Sequence, residues 1–249
     1  MKALLASINC QKAEIELNLG THKRAISEAA SSDCDVAVFP EMSLTGYIDP
    51  VIHHDSSLDL DSSAVRELID FGATKSVDLL FGIAERNPGS GPYISQIHAS
   101  AGKVVGVYRK RHLADNESAF TAGTESYQAQ IDGNAFGIAV CADYEVSDEF
   151  VAASESGASI VFHCSAPGLY GTRKTDDASW QRGFDWWRTS CIETHGRRAK
   201  ELGIYIALAT QAGATVDEDF PGWSALFSPD GEIIAQLPNW EAGSLVAEI

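Results

Sequence analysis

The chain has 249 residues, of which 45% are hydrophobic and 21% are charged, and 35 acidic residues against 18 lysines and arginines give a formal net charge of −17. This length and composition predict one globular domain over residues 1–249 with a sizeable core. The excess of negative charge, with no compensating basic stretch, argues against nucleic acid and anionic membrane surfaces as partners.

The cysteines are scattered, odd in number and never in a CxxC spacing, which argues against a disulfide framework and against a zinc knuckle. They are Cys10, Cys34, Cys141, Cys164 and Cys191. No apolar stretch approaches the length of about 20 residues that a membrane-spanning helix needs. We therefore expect a cytoplasmic protein with reduced thiols and no membrane contact.

Short apolar runs alternate with segments of helical periodicity along the whole chain. The predicted strands cover 3–8, 35–39, 78–84, 94–100, 103–108, 135–140, 158–163, 204–209, 224–227, 232–236 and 244–249. The predicted helices cover 12–30, 62–75, 147–156 and 180–202, the last closed by a left-handed Gly203. Hairpin turns at 101–102 and 229–231 require antiparallel pairs, so we predict an α/β fold with two mixed sheets between helix layers.

The first candidate site residue is Glu41, which follows the apolar strand 35–39 and Pro40. Strand ends are where α/β folds place reacting groups. A carboxylate behind an apolar strand is partly desolvated, which raises its pKa and suits it to general base catalysis. The alternative is a turn carboxylate that accepts hydrogen bonds from nearby amides.

A second candidate lies in the run Arg109-Lys110-Arg111, three cations together in an otherwise acidic chain. Such a cluster is common on a solvated sheet edge, where it discourages aggregation. A lysine at a strand end can also hold an oxyanion. Glu117, a few residues later, is either a helix-start residue or a second active-site carboxylate, and spacing alone does not separate the two.

The third candidate is Cys141, delivered by the predicted strand 135–140 to a turn before a helix. Amides at a helix start lower a thiol pKa and can bind the oxyanion of a tetrahedral intermediate. This arrangement favours a nucleophile, although a cysteine at the end of an apolar strand can also be a small buried hydrophobe.

Taken in order, these segments resemble the carbon–nitrogen hydrolase family, also called the nitrilase superfamily. The resemblance covers residues 1–249. It rests on Phe39-Pro40-Glu41 to Gly46-Tyr47, Tyr108-Arg109-Lys110-x-His112-Leu113, Cys141-x-Asp143, Gly222-Trp223-Ser224 and Ser228-Pro229-Asp230-Gly231.

The resemblance implies a four-layer α-β-β-α sandwich and an amidase-type hydrolase with a triad of Glu41, Lys110 and Cys141. In the implied mechanism the glutamate takes the thiol proton, the cysteine attacks the carbonyl carbon, and the lysine stabilises the oxyanion. The implied substrate-binding residues are Glu117, the amide of Ala142, Tyr47 and Glu145. The expected partner is a small amide, no metal or organic cofactor is required, and a homo-oligomer is expected.

Several alternatives stay open at this point. The same thioester could be passed to an acyl acceptor, a nitrile could replace the amide, or the fold could be a non-catalytic scaffold. A papain-like pair of Cys141 with His112 or His163 would be another cysteine mechanism. His163 could also line the pocket or form a satisfied core pair.

Four features depart from the resemblance or are not explained by it. Glu145 occupies a position where family members often carry arginine. Either this predicts a substrate that is neutral or cationic in that part, or Glu145 simply faces solvent. Glu201 matches the end of a family helix, but Leu202 replaces its asparagine. The aromatic run 180–187 is either core or subunit interface, or a wall of the pocket. The adjacent His53 and His54 do not have the spacing of a metal site.

Overall fold

The computed structural model describes residues 1–146, 148–169 and 174–249. Strands and helices alternate along the chain. The strands are β1 Lys2–Ser7, β2 Val36–Val38, β3 Asp78–Glu85, β4 Tyr93–Ser100, β5 Lys103–Arg109, β6 Gln128–Ile131, β7 Asn134–Val140, β8 Ile160–Ser165, β9 Tyr205–Thr210, β10 Ala212–Ala214, β11 Asp219–Pro221, β12 Ala225–Phe227, β13 Ile233–Gln236 and β14 Gly243–Glu248.

The helices lie outside the sheets, and short 3₁₀ turns follow two of the strands. The helices are α1 Ile15–Ser31, α2 Ser63–Lys75, α3 Asp148–Glu155, α4 Asp177–Cys191 and α5 Arg197–Leu202. The 3₁₀ turns are Asp115–Glu117 and Cys141–Tyr144, and a π-helical segment, Ile192–Gly196, joins α4 to α5.

The described strands form two six-stranded mixed sheets and one small ribbon. The first sheet has the order β14-β1-β2-β3-β4-β5, with β1, β2 and β3 parallel. The second has the order β13-β12-β9-β8-β7-β6, with β7, β8 and β9 parallel. The ribbon pairs β10 with β11. The predicted α/β class with mixed sheets is confirmed, as are the antiparallel pairs β4–β5 and β12–β13.

The period of two along each strand divides the core into three layers. In β1, Ala3 and Leu5 lie in the apolar layer between the two sheets, whereas Leu4 and Ala6 lie in the layer covered by α1 and α2. On the far side, α3, α4 and α5 cover the second sheet, with Trp187 buried among its outward-facing residues. The four-layer α-β-β-α sandwich follows from this alternation.

The main differences from the predicted elements have local causes. Strand β6 was not predicted, because it is a short edge strand with half of its residues exposed. The ribbon strands were not predicted either, since three residues are too few to show a period. Helix α4 begins at Asp177, earlier than predicted, because Asp176 caps it by accepting a hydrogen bond from the Ser179 amide at 2.7 Å. Position 147 of the predicted third helix lies outside the described residues.

The ends of the parallel strands position the candidate site residues. Glu41 comes just after β2, Cys141 directly follows β7, and Ala166 directly follows β8. Because the two sheets pack face to face, these carboxyl ends meet across the layer between the sheets. None of the described helices combines the length and the apolar character that crossing a bilayer requires.

Gly82 in β3 supports the chain segment that carries Glu41. A Cβ at Gly82 would lie 2.3 Å from the Met42 nitrogen and 2.8 Å from the Pro40 oxygen. We expect Gly82→Ala to displace this segment and to lower the free energy of unfolding by about 2 kcal/mol, as overpacking does. Denaturant unfolding measures this change.

The matched control is Gly20→Ala in α1, where the nearest atom to an added Cβ is Arg24 Nη1 at 3.8 Å. This substitution removes a helix-interior glycine without a clash, so the free energy of unfolding should rise by about 0.5–1 kcal/mol. Equal effects of the two substitutions would contradict the assignment of Gly82 as a steric support.

Candidate active site

The three residues of the predicted triad come together between the two sheets. Lys110, which directly follows β5, places Nζ 2.7 Å from Glu41 Oε1 and 2.7 Å from Glu117 Oε1. Lys110 and Glu41 are fully buried, and Glu117 is 1% exposed. The ammonium group is therefore held between two carboxylates, with Cys141 close enough to interact with all three groups.

The basic run around Lys110 is not a solvated edge. Arg109 donates two hydrogen bonds to the buried carboxylate of Glu85, both at 2.7 Å. Arg111 makes an ion pair with Glu149, which is also buried. Each of the three adjacent cations thus has its own carboxylate partner, and only the lysine faces the layer between the sheets.

Glu117 is both a turn residue and a member of the buried charge cluster. Its Oε2 accepts a hydrogen bond from the Ala114 amide at 2.8 Å, which closes the 3₁₀ turn. Its Oε1 accepts from the Tyr47 hydroxyl at 2.7 Å as well as from Lys110. Asn116, which the sequence analysis did not single out, donates to the Tyr47 oxygen at 3.2 Å. These contacts fix the Glu117 carboxylate beside the lysine.

The charges in this cluster set the protonation of Glu41. Burial raises the pKa of Glu41 to about 7, against the opposing effect of the Lys110 charge and with a further increase from Glu117. Hydrogen bonds with Lys110 and Cys141 also act to lower it. Burial alone would lower the pKa of Lys110, but the nearby carboxylates outweigh it and raise that pKa. The lysine is therefore a cation, and Glu41 can gain or lose a proton near neutral pH.

Cys141 lies at a strained turn at the end of β7. Its φ is +40°, in the left-handed region that non-glycine residues rarely adopt, and it starts the 3₁₀ turn Cys141–Tyr144. The prediction that turn amides lower the thiol pKa is wrong for the free protein, because burial and the Glu41 charge raise it. The thiol is thus protonated at neutral pH.

The buried carboxylate of Asp143 holds this turn in place. It accepts hydrogen bonds from the Tyr108 hydroxyl at 2.7 Å, the Val140 amide at 2.8 Å, and the amide and Nδ1 of His112, each at 3.0 Å. His112 is therefore bound to Asp143. His163 places Nε2 3.1 Å from the main-chain oxygen of Cys141. Neither contact supports a papain-like pair in which an imidazole takes the thiol proton.

A cavity of about 330 Å³ opens onto Cys141. Among the described residues that line it, Asp115 and Glu145 are the charged ones, and lysine and arginine are absent. Of the predicted substrate-binding residues, Tyr47, Ala142 and Glu145 line this cavity, whereas Glu117 lies behind Tyr47. The lining residues are Tyr47, Leu113, Ala114, Asp115, Asn116, Cys141, Ala142, Tyr144, Glu145, Ala166, Pro167, Gly168, Trp186 and Trp187.

The aromatic run 180–187 has two roles. Phe184 and Trp187 belong to the core over the second sheet, and Trp187 also reaches the cavity, together with the half-exposed Trp186.

No group of three or more histidine, cysteine, aspartate or glutamate side chains suited to a metal ion occurs in the described part of the chain. His54 Nδ1 lies 3.6 Å from Asp55 Oδ2.

The sequence matches the family model described as carbon-nitrogen hydrolase over residues 4–249. The chain therefore belongs to the carbon–nitrogen hydrolase family. It is 26% identical over 228 residues to the 2-oxoglutaramate amidase of Bacillus subtilis, covering 89% of this chain and 80% of that protein. It is 22% identical over 245 residues to the glutamine-dependent NAD(+) synthetase of Acinetobacter baylyi, covering 96% of this chain but 42% of the synthetase.

Among solved structures, the fold is similar to the NitN amidase of Neterenkonia sp. AN1, with a TM-score of 0.85 at 23% identity over 100% of this chain and 92% of the other. A variant of the Nesterenkonia sp. AN1 amidase, with a TM-score of 0.84 at 22% identity over 100% and 93% of the two chains, shows Michael addition of acrylamide at its active-site cysteine. These likenesses establish that this chain has the fold of nitrilase-superfamily amidases.

Asp143 provides a stability test of the turn that carries Cys141. Asp143→Asn replaces one of the two carboxylate oxygens with an NH₂ group. The donors that bind that oxygen in the wild type would then face another donor. We expect the free energy of unfolding to fall by about 3 kcal/mol. The control is Asp132→Asn on the exposed β6–β7 turn. If denaturant unfolding gave the two variants the same stability, Asp143 would not hold the turn.

Proposed function

We propose that the protein is an amidase-type hydrolase that cleaves the carbon–nitrogen bond of a small amide through a thioester on Cys141. The observation that carries this proposal is the buried contact of Lys110 Nζ with both Glu41 and Glu117, next to a cysteine that faces a cavity. Such a cluster supplies a base, a fixed cation and a nucleophile at one point.

The proposed reaction begins when Glu41 takes the thiol proton and the Cys141 sulfur attacks the carbonyl carbon. Lys110 and the amide of Ala142 stabilise the negative charge that develops on the carbonyl oxygen. The proton on Glu41 passes to the nitrogen of the leaving group, the carbon–nitrogen bond breaks, and ammonia or an amine departs. Glu41 then takes a proton from water as the water oxygen attacks the thioester. The carbon–sulfur bond breaks, the carboxylic acid leaves, and Glu41 returns its proton to the Cys141 sulfur. These steps are complete without a metal or an organic cofactor.

The charges around the cavity support a neutral or cationic substrate. Asp115 and Glu145 are both exposed, so solvent screens their charges, but they still disfavour a carboxylate and favour an ammonium group, and no described lining residue offers a compensating cation. The exposed Trp186 adds an aromatic surface that suits a cation or an apolar chain. 2-Oxoglutaramate, the compound named for the Bacillus subtilis relative, carries a carboxylate, so we do not extend that substrate to this chain.

Acyl transfer and nitrile hydrolysis would use the same thioester, so they are second candidates for the reaction. We also propose a cytoplasmic location and a homo-oligomeric state. Added hydroxylamine captures the shared thioester as a hydroxamate, and the ratio of hydroxamate to carboxylic acid compares acyl transfer with hydrolysis. Sedimentation measurements test the oligomeric state.

Ammonia release from a matched set of amides tests the proposed function. Butyramide, 4-aminobutyramide and succinamate differ mainly in the charge of the far end. We expect hydrolysis of the neutral and cationic amides, with at least about tenfold lower kcat/KM for the anionic one, a difference of about 1.4 kcal/mol. Cys141→Ala should abolish the activity. Cys34→Ala, at a buried cysteine in the helix-covered layer, should retain it. Faster hydrolysis of succinamate than of butyramide would overturn the substrate assignment.

The pKa of Glu41 predicts the pH dependence. Because the base acts in its deprotonated form, kcat/KM should rise tenfold per pH unit below pH 7 and level off above the pKa of about 7. Glu41→Gln should lower kcat by about 10²–10⁴-fold. Glu155→Gln, at an exposed position of α3, serves as the control. A profile that stays flat from pH 5 to pH 9 would show that Glu41 is not the base.

A further inference from the structure

Two buried histidines outside the proposed triad lie directly behind the nucleophile. His163 in β8 places Nε2 3.1 Å from the Cys141 main-chain oxygen. His195 places its Nε2 2.8 Å from Nδ1 of His163. Both side chains are fully buried. The proposed mechanism uses neither of them, so their position requires a separate explanation.

The contacts determine which nitrogen atoms carry protons. A carbonyl oxygen only accepts hydrogen bonds, so Nε2 of His163 must donate to Cys141. Burial lowers the pKa of His163 to about 3 and the pKa of His195 well below its ordinary value, so both rings are neutral. Nδ1 of His163 then accepts a hydrogen bond from the Nε2–H group of His195. The two hydrogen bonds therefore run in one direction, toward the Cys141 carbonyl group.

That carbonyl group belongs to the same peptide unit as the Ala142 amide. A hydrogen bond to the oxygen fixes the plane of the peptide and polarises it, which makes the N–H at the other end a stronger donor. This peptide unit follows a residue with a φ of +40°, so its orientation is not one that the chain prefers by itself. We propose that His163 and His195 are positioning residues that orient the Cys141–Ala142 peptide, so that its N–H points at the oxyanion. This inference rests on the proposed function.

The backbone conformation at His195 supports a functional role for the histidine pair. His195 lies in the π-helical segment Ile192–Gly196 between α4 and α5. Such wide turns are rare and are frequently found at functional sites. The ring lies near Tyr144, with a centroid distance of 6.0 Å, and Thr194 Oγ1 is 3.3 Å from its Nδ1. Gly196 fits this close packing, since a Cβ there would lie 2.9 Å from the Gly231 oxygen.

A purely structural role makes a different prediction, and side-chain replacements separate the two. His163→Leu removes the donor, whereas His163→Gln keeps an N–H group close to the Nε2 position. His195→Leu leaves His163 without its own donor. For each variant, kcat and KM are measured with the best amide, and the melting temperature is recorded in parallel.

Two further measurements do not depend on hydrolysis. A small aldehyde such as butyraldehyde forms a thiohemiacetal on Cys141, which places an oxygen at the oxyanion position. Methyl methanethiosulfonate converts the same thiol to a mixed disulfide with release of methanesulfinate, a reaction with no oxyanion. Cys141→Ala gives the background from the other cysteines, which are buried.

We expect His163→Leu to lower kcat and to weaken aldehyde binding by about 10–100-fold each, as the loss of part of an oxyanion site does. KM and the rate with methyl methanethiosulfonate should change by less than about twofold, which is within 0.5 kcal/mol. His163→Gln should restore most of the loss, and His195→Leu should fall between the two.

The inference is overturned if His163→Leu leaves kcat and aldehyde binding unchanged, or if His163→Gln is as impaired as His163→Leu. It is also overturned if kcat, aldehyde binding and the rate with methyl methanethiosulfonate all fall together with the melting temperature. A wild type that binds the aldehyde but hydrolyses no amide would refute the proposed function alone, and the aldehyde comparison would still decide the role of the pair. A wild type that binds no aldehyde would refute the inference, because there would be no oxyanion position to serve.

Discussion

The buried ammonium group of Lys110 is the constraint on which the rest of the site depends. A charge removed from water costs several kcal/mol unless other charges and hydrogen bonds replace its hydration. Here Glu41 and Glu117 each lie 2.7 Å from Nζ. Burial raises the pKa of Glu41, and the Glu117 charge raises it further, whereas the Lys110 charge opposes both and does not cancel them. The cluster thus keeps the lysine charged and leaves the glutamate able to gain or lose a proton near neutral pH.

Hydrogen bonds also link the two sheets close to the buried charge cluster. The Ala166 amide, at the end of β8, donates to Glu41 Oε2 at 3.2 Å, and the Tyr108 hydroxyl of β5 donates to Asp143 at 2.7 Å. Apolar packing is not directional, so it would allow one sheet to slide against the other. Buried hydrogen bonds penalise such a slip, because it would leave their partners unsatisfied. The carboxylate of one sheet therefore faces the thiol turn of the other at a fixed distance.

The sequence predicted most strands and the family because those signals are local. Short apolar runs such as β7 and β8 and the turns at Gly102 and Gly231 are each formed by residues that are close in sequence. The partners of a buried side chain are not local. Nothing near Asp143 in the sequence indicates that it binds Tyr108, and His195 lies in a segment whose residues read as ordinary helix. The π-helical turn and the contact of His195 with His163 depend on packing between α4, α5 and the second sheet, which only the folded chain supplies.

The strain at Cys141 explains why its turn is held from both sides. A non-glycine residue with a positive φ costs about 1–3 kcal/mol and persists only where neighbouring contacts determine it. Glycine would relieve the strain but would carry no thiol, so the chain keeps cysteine here and stabilises its backbone instead. Asp143 binds the Val140 amide before the cysteine, and His163 binds the carbonyl group after it. These hydrogen bonds hold the main chain on both sides of Cys141, at the Ala139–Val140 peptide and at the Cys141–Ala142 peptide, so the direction of the thiol and that of the Ala142 amide are constrained together. The proposed reaction requires this arrangement for attack on a carbonyl carbon and stabilisation of its oxygen.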